Sequence, residues 1–416
     1  MHYFEYKGDA LYCEGVPIQR IVDAVGTPVY IYSHQTLVRH YRAFDSAFQE
    51  VPHIVCFAMK ANSNLAVLKV LADEGSGADI VSGGELYRAL KAGVPASKIV
   101  FSGVGKTRNE IEEALQAGIL SFNVESAQEL AFIDRVAGEL RMKARVSPWV
   151  NPNVDPKTHP YISTGLRENK FGMPVQTAAD ILKSIKDYGN IEVVGVSSHI
   201  GSQITKLQPF IDALEKVLSF VEEARSLGIE MKYLDTGGGL GITYRDETPP
   251  HPKELGEALV PIMKQSRCTL IFEPGRVIVG NAGILVTRVL YTKVNEGKHF
   301  KIVDVAMNDL VRPSLYGSYH EILPVVQKER PTLTADVVGP ICESGDFMAK
   351  NREIPDVQPG ELLAIMSAGA YGFVMSSNYN SRPRVPEVLV RGDAFHIVRR
   401  RERYEDLISG EEIPAL

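Results

Sequence analysis

Short apolar runs alternate with longer amphipathic ones through the first two thirds of the chain. The strand-like runs cover residues 53–58, 78–81, 99–102, 120–124, 144–150, 193–199, 231–235 and 270–273. Between them, apolar residues recur at three- and four-residue spacing over 65–74, 84–92, 109–117, 127–137, 208–227 and 252–265, the period of helices with one buried face. About eight strand-then-helix units in series predict an α/β fold, a (β/α)8 TIM-like barrel. A doubly wound open sheet has the same periodicity and is the competing reading, because periodicity does not reveal closure.

After about residue 280 the texture changes. The runs 284–294, 300–305, 333–338 and 387–390 are β-rich, turn residues separate them, and few long helical patterns remain. A second, mostly antiparallel domain is expected there. The stretches 3–6 and 29–32 are also β-like and are expected to join it, since chain ends often meet. The predicted division is 36–280 for the barrel and 1–35 with 281–416 for the β-rich domain.

Composition narrows the function classes without choosing one. The 416 residues are 44% hydrophobic and 23% charged, a globular average, and the net charge of −6 favours neither nucleic acid nor an anionic membrane. No apolar run is long enough to span a bilayer, and the start lacks a basic segment followed by an apolar one, so no signal peptide is expected. The four cysteines are scattered, with no CxxC pair and no zinc spacing. That pattern predicts no metal site and a reduced, cytoplasmic protein.

In a barrel of this kind the chemistry sits at the C-terminal ends of the strands. Lys60 ends the first run, in Ala58-Met59-Lys60-Ala61-Asn62. A buried ammonium is costly, and a lone lysine there more simply snorkels to solvent. It is not alone. His199 ends the sixth run, Gly237-Gly238-Gly239-Leu240-Gly241 follows the seventh, and Glu273-Pro274-Gly275-Arg276 follows the eighth. Glycine backbone and a fixed guanidinium suit a phosphate, and the loops after strands seven and eight are where barrels commonly hold one. These parts fit pyridoxal 5′-phosphate: Lys60 for a Schiff base, the glycines and Arg276 for the phosphate, Glu273 for the pyridine nitrogen, His199 against the ring. A structural Glu273–Arg276 ion pair is the plainer alternative.

The same stretches resemble the diaminopimelate decarboxylases, of the alanine-racemase-like (fold-type III) class of pyridoxal-phosphate enzymes. Further matching stretches are His159-Pro160-Tyr161-Ile162-Ser163-Thr164-Gly165, Arg312-Pro313-Ser314-Leu315-Tyr316, Gly339-Pro340-Ile341-Cys342-Glu343-Ser344-Gly345-Asp346 and Ala368-Gly369-Ala370-Tyr371-Gly372. The resemblance implies decarboxylation of meso-2,6-diaminopimelate to L-lysine and CO2, the last step of lysine biosynthesis by that route. It implies a homodimer with shared active sites. Lys60 would carry the cofactor, and Gly238, Gly239, Gly275 and Arg276 would hold its phosphate. Arg276, Arg312 and Tyr316 would hold the substrate's distal carboxylate. Cys342, as proton donor, and Glu343, for the distal ammonium, would come from the partner subunit. Tyr371 would line the cofactor and substrate pocket. Without the resemblance, Cys342 reads as an inert buried thiol, Arg312 as shaping a loop before its proline, and Tyr371 as packing.

The nearest rival is a related basic amino acid or carboxynorspermidine decarboxylase, which shares the cofactor motifs. A racemase and a non-catalytic cofactor-binding protein are more distant; the latter tends to lack a β-rich partner domain. Two details stand apart: Asn153 where an acidic residue is expected, and the charge run Arg399-Arg400-Arg401-Glu402-Arg403, read as solvated.

Overall fold

A computed structural model describes residues 2–155 and 169–415. The stretch from His159 to Gly165 therefore lies outside the described residues. The chain divides into two compact units, Val38–Thr243 with Glu247–Ile278, and Met1–Leu37 with Tyr244–Asp246 and Val279–Leu416.

In the first unit every strand pair is parallel. His53–Ala58, Gly77–Ile80, Ile99–Phe101, Ser121–Val124 and Ala144–Pro148 pair in chain order. The sixth stave is broken in two: Ile191–Val193 pairs back to Ala144–Pro148, and Gly195–Ser197 pairs forward to Tyr233–Asp235. Val194 makes the join. Its N–H donates to the Val146 carbonyl (2.9 Å), and its own carbonyl accepts from the N–H groups of Lys232 and Tyr233 (2.8 and 3.0 Å). Thr269–Phe272 then pairs with both Tyr233–Asp235 and the first strand, His53–Ala58. That last ladder closes a barrel of eight staves and eliminates the open sheet.

The helices between staves begin where the sequence caps them. Ser82, Thr107 and Ser126 each accept the N–H of a glutamate three residues on, at the starts of Gly83–Ala92, Arg108–Ala117 and Ala127–Glu139. Inside the barrel, Cys56, Val100, Leu120 and Ile271 pack with Ile54 and Tyr233 as an apolar plug. Toward the C-terminal ends of the staves the buried residues turn polar: Asp79, Ser102, Asn123, Asp235 and Glu273. A layer of that kind is costly unless something compensates it.

The second unit is a mixed sheet built on the long strand Gly283–Asn295. That strand pairs antiparallel with Val29–Ser33, Lys298–Val303 and Leu362–Ile365. The sheet is not wholly antiparallel: Val29–Ser33 runs parallel to Glu387–Arg391, and Lys298–Val303 runs parallel to Thr332–Val338. The N-terminal residues do join this unit. Phe4, Leu11, Val16, Ile18 and Ile21 share a core with Val29, Ile284, Val286, Ala364 and Val388.

The C-terminal charge run is not simply solvated. Arg399 pairs with the buried Glu387 (2.6 Å), which also accepts from the Tyr32 hydroxyl (2.7 Å). Arg401 donates to the Pro28 carbonyl (2.8 Å). The run is a clasp on the N-terminal strand, which a reading by charge alone could not distinguish from a solvated tail. Among the described residues, no helix is long and apolar enough to cross a membrane.

Candidate active site

The first unit gathers Lys60, His199, the glycine loop and Glu273 at the C-terminal ends of its staves. Lys60 sits in a single helical turn, Met59–Ala61, directly after the first strand. Its ammonium meets Asp79 of the second strand at 2.6 Å, and the Asp79 side chain is fully buried. Lys60 is thus held inward by a charge rather than snorkelling. Gly275 fixes the turn from the other side: a Cβ there would lie 3.1 Å from that of Ala61 and 3.2 Å from that of Ala58.

Glu273 faces Asn123 and Asp235. The Asn123 amide donates to Asp235 Oδ2 (3.2 Å), Ser102 Oγ (3.0 Å) and Glu273 Oε1 (3.4 Å). Burial, followed by the charge of Asp235, pushes the Glu273 carboxyl well up. Burial pushes Asp235 up to about 6. Burial also lowers His199 to about 3, and the nearby Lys60 charge adds to this. His199 Nδ1 accepts the Gly238 N–H (3.1 Å), so the imidazole is neutral with its proton on Nε2. Trp149, the only tryptophan, stands edge-on to that ring, centroids 6.5 Å apart.

The glycine loop is a cradle that side chains would fill. A Cβ on Gly238 would lie 2.0 Å from the Glu273 carbonyl oxygen. Gly239 has φ +111°, and a Cβ there would lie 2.3 Å from the Gly201 carbonyl oxygen. Arg276 is buried and donates to Ser202 Oγ (3.0 Å) on the loop after the sixth stave.

The second unit carries the remaining predicted residues, in two places. Arg312 opens the short helix Arg312–Tyr316 and is 5% exposed. Its guanidinium lies over the rings of Tyr244 (5.1 Å) and Tyr316 (6.0 Å), and its Nε approaches His320 Nε2 at 3.4 Å. His320 Nδ1 is 2.9 Å from the Met366 carbonyl, which can only accept. His320 therefore carries its proton on Nδ1 and offers Nε2 to the arginine. Arg312 is built into an aromatic box, and the proline that follows it lies in the first turn of that helix, where its missing N–H costs nothing, rather than in a loop. Cys342 and Glu343 lie on an exposed turn; Cys342 is the exposed cysteine while Cys13, Cys56 and Cys268 are buried. Tyr371 is half-buried and Ser367, on the same loop, is buried; both have φ +55°, a conformation that non-glycine residues adopt at a cost.

Sequence reasoning missed Asp79, Asn123 and Asp235, although charged or amide residues inside the apolar runs 78–81, 120–124 and 231–235 were the available signal. It also missed Ser202, Tyr244 and His320, whose isolated positions carry no such signal.

Fold and site together define a class. Residues 34–280 match the family model for the pyridoxal binding domain of pyridoxal-dependent decarboxylases. The cofactor of that class is pyridoxal phosphate, and the residues fit it. Glu273 is buried beside the carboxyls of Asp235 and Asp79, which push it up while Lys60 pulls it down, so a protonated pyridine nitrogen would supply a cation that this carboxyl can hold. Comparison narrows the class. The chain is 51% identical to the diaminopimelate decarboxylase of Vibrio cholerae and 52% identical to that of Pseudomonas aeruginosa, covering 99% of both chains in each case. The crystal structure of the Helicobacter pylori diaminopimelate decarboxylase complexed with L-lysine matches with a TM-score of 0.91 at 43% identity, over 94% of this chain and 98% of that one. The chain belongs to the diaminopimelate decarboxylase family.

Proposed function

We propose that this chain removes one carboxylate of meso-2,6-diaminopimelate as CO2 and releases L-lysine, with Lys60, Cys342 and the residues above in the following roles. When bound, pyridoxal phosphate supplies an electron-withdrawing ring that accepts the electron pair left at Cα. Lys60 would hold the cofactor through its Nζ, and Asp79, 2.6 Å from that nitrogen, would accept the hydrogen bond of the Lys60 ammonium whenever Lys60 is free of it. Backbone groups of Gly238, Gly239 and Gly275, with Arg276, bind the phosphate. Glu273 would hold the ring nitrogen, and a cation there would favour its ionised form. His199, neutral, would lie against the ring without adding charge, and Tyr371 would line the pocket.

The observation that carries the choice of substrate is the boxed guanidinium of Arg312. Its orientation is set by Tyr244, Tyr316 and His320, and a guanidinium of fixed orientation reads a carboxylate through two parallel hydrogen bonds. Diaminopimelate offers a distal carboxylate; ornithine, arginine and lysine do not. Binding one of those leaves the guanidinium to be desolvated without the carboxylate it is set to read, which costs discrimination on the order of 10⁴-fold where a site is built around a polar partner. Glu343 reads the distal ammonium, and Cys342 protonates Cα. Both act in the site of a second copy of the chain, within a homodimer whose cytoplasmic setting suits the scattered cysteines. In this reading the barrel unit binds the cofactor, and the β-rich unit contributes substrate and dimer contacts.

The test is CO2 release from purified protein loaded with pyridoxal phosphate, comparing meso-diaminopimelate with ornithine, arginine, lysine and carboxynorspermidine. Release from diaminopimelate alone, with lysine as product, is the expected result. Preference for another substrate would leave the cofactor half standing and refute the Arg312 reading.

A further inference from the structure

The turn that carries Cys342 and Glu343 is exposed, yet its backbone is tied down by one buried side chain. Asp346 is 4% exposed and ends the turn. Its Oδ2 accepts the Ile341 N–H (2.7 Å), immediately before Cys342. Its Oδ1 accepts the Met307 N–H (2.6 Å), on the segment that leads into Arg312. The two segments are otherwise 34 residues apart in sequence, counted from Met307 to Ile341. A second tie runs beside the first: the Ser314 hydroxyl, inside the Arg312–Tyr316 helix, donates to the Gly345 carbonyl.

The turn itself is wound around this carboxylate. Glu343 N–H donates to the Ile341 carbonyl (2.8 Å), and Asp346 N–H donates to that of Glu343 (3.0 Å). Gly339 leaves room for the side chain, because a Cβ there would lie 2.4 Å from Asp346 Oδ2. On the outer side, the Cys342 N–H donates to Asn380 Oδ1 (3.1 Å). A hydrogen bond with the Glu343 carboxylate pushes the neighbouring Tyr379 phenol up.

We propose that Asp346 is a positioning residue that sets the Arg312 segment and the Cys342–Glu343 turn in one register. It touches neither substrate nor cofactor. It acts by fixing the backbone from which both groups reach. The inference rests on the roles given above to Arg312, Cys342 and Glu343. On those roles Arg312 serves the site of its own chain, whereas Cys342 and Glu343 serve the site of the second copy. One carboxylate then aligns groups that belong to two different active sites, and loosening it disturbs both ends of substrate recognition at once. A carboxylate accepting two backbone N–H groups is well suited to this, since each bond is charge-assisted and an amide replacement turns one acceptor into a donor.

The experiment uses the pyridoxal-phosphate-loaded enzyme and its Asp346→Asn and Ser314→Ala variants. Three quantities are measured: the absorbance of the lysine-bound cofactor, kcat and KM for meso-diaminopimelate, and the rate at which a thiol reagent labels Cys342, with and without L-lysine. For Asp346→Asn we expect unchanged cofactor absorbance, a KM raised about ten-fold, and Cys342 labelling faster by a similar factor, the scale of one lost charge-assisted hydrogen bond. Wild-type KM and wild-type labelling in that variant would overturn the proposal. If Asp346→Asn does not fold, Ser314→Ala decides: a rise of about three-fold in KM and labelling supports the tie, and no change in either overturns it. Failure of L-lysine to slow labelling in the wild type is a separate result. It would remove Cys342 from the substrate site, and the Asp346 tie would then stand or fall on KM alone.

Discussion

The two units solve the problem of holding charge in different ways. In the barrel, charge is placed by the sheet: Lys60, Asp79, Asp235 and Glu273 occupy or directly follow strand ends whose positions the parallel ladders fix. In the β-rich unit, charge is placed by local ties. Arg312 is set by Tyr244, Tyr316 and His320, and the Cys342–Glu343 turn by the carboxylate of Asp346. A ladder position tolerates little change in kind, because the next stave enforces it. A tied loop can be retuned by one substitution. On the roles proposed above, the difference suits a cofactor common to a whole class in the first unit and a substrate particular to one branch in the second.

The sharpest break in that comparison is at Lys60. Replacing Lys60 with Ala removes the amine while the ladder stays intact. Turnover should fall by on the order of 10³-fold or more, the scale of removing a group that acts directly in the chemistry. Loss of the lysine-bound cofactor absorbance with unchanged far-ultraviolet circular dichroism is the expected signature. Retained turnover would place the reactive amine elsewhere.

Arg312→Lys probes the other unit. Lysine keeps the positive charge but loses the fork that reads a carboxylate in two bonds, and it stacks less well on Tyr244 and Tyr316. KM for diaminopimelate should rise by about 10- to 100-fold, one or two charge-assisted hydrogen bonds, with cofactor absorbance unchanged. A loss of cofactor binding instead would mean that the division of labour between the units is wrong.

The same contrast governs what could be read in the sequence. The staves were legible because their apolar runs are short and bounded, and the first strand, His53–Ala58, has the limits its pattern predicts. The apolar pattern predicts the sixth as one run over 193–199, whereas it begins at Ile191 and breaks at Val194. A kink that serves two neighbours leaves no trace in hydrophobic period. Lys60, His199, Glu273 and the glycine loop were legible because they follow strand ends. Arg312, Cys342 and Tyr371 sit on a five-residue helix and on loops, where no period exists, and only the resemblance singled them out. Asp346 ends the stretch Gly339–Asp346 with no pattern to mark it, because its role depends on which backbone N–H groups it meets in space.

The smallest expected effect tests whether the buried carboxyls of the barrel are compensated only when the cofactor is bound. Asp235 is raised from its usual carboxylate range to about 6. A raised acid contributes stability that is fully present below about pH 4 and is lost as pH rises through about 6. His199, lowered to about 3, has the opposite sign: its contribution is present above about 6.5 and is lost as pH falls toward 3. The two oppose each other between pH 4 and 6, so the wild-type profile alone is uninformative. Subtracting Asp235→Asn isolates the acid. In the cofactor-free protein, the unfolding free energy of this variant, from denaturant titration, should gain on that of the wild type as pH rises from 4 to 7. The gain should be roughly 1–2 kcal/mol, less than two full pKa units would give, because Glu273 shares the titration. Loading pyridoxal phosphate should shrink the gain, since the ring nitrogen brings the missing cation. A difference independent of pH would mean that Asp235 is already ionised, and that the barrel unit compensates its own charge before any cofactor arrives.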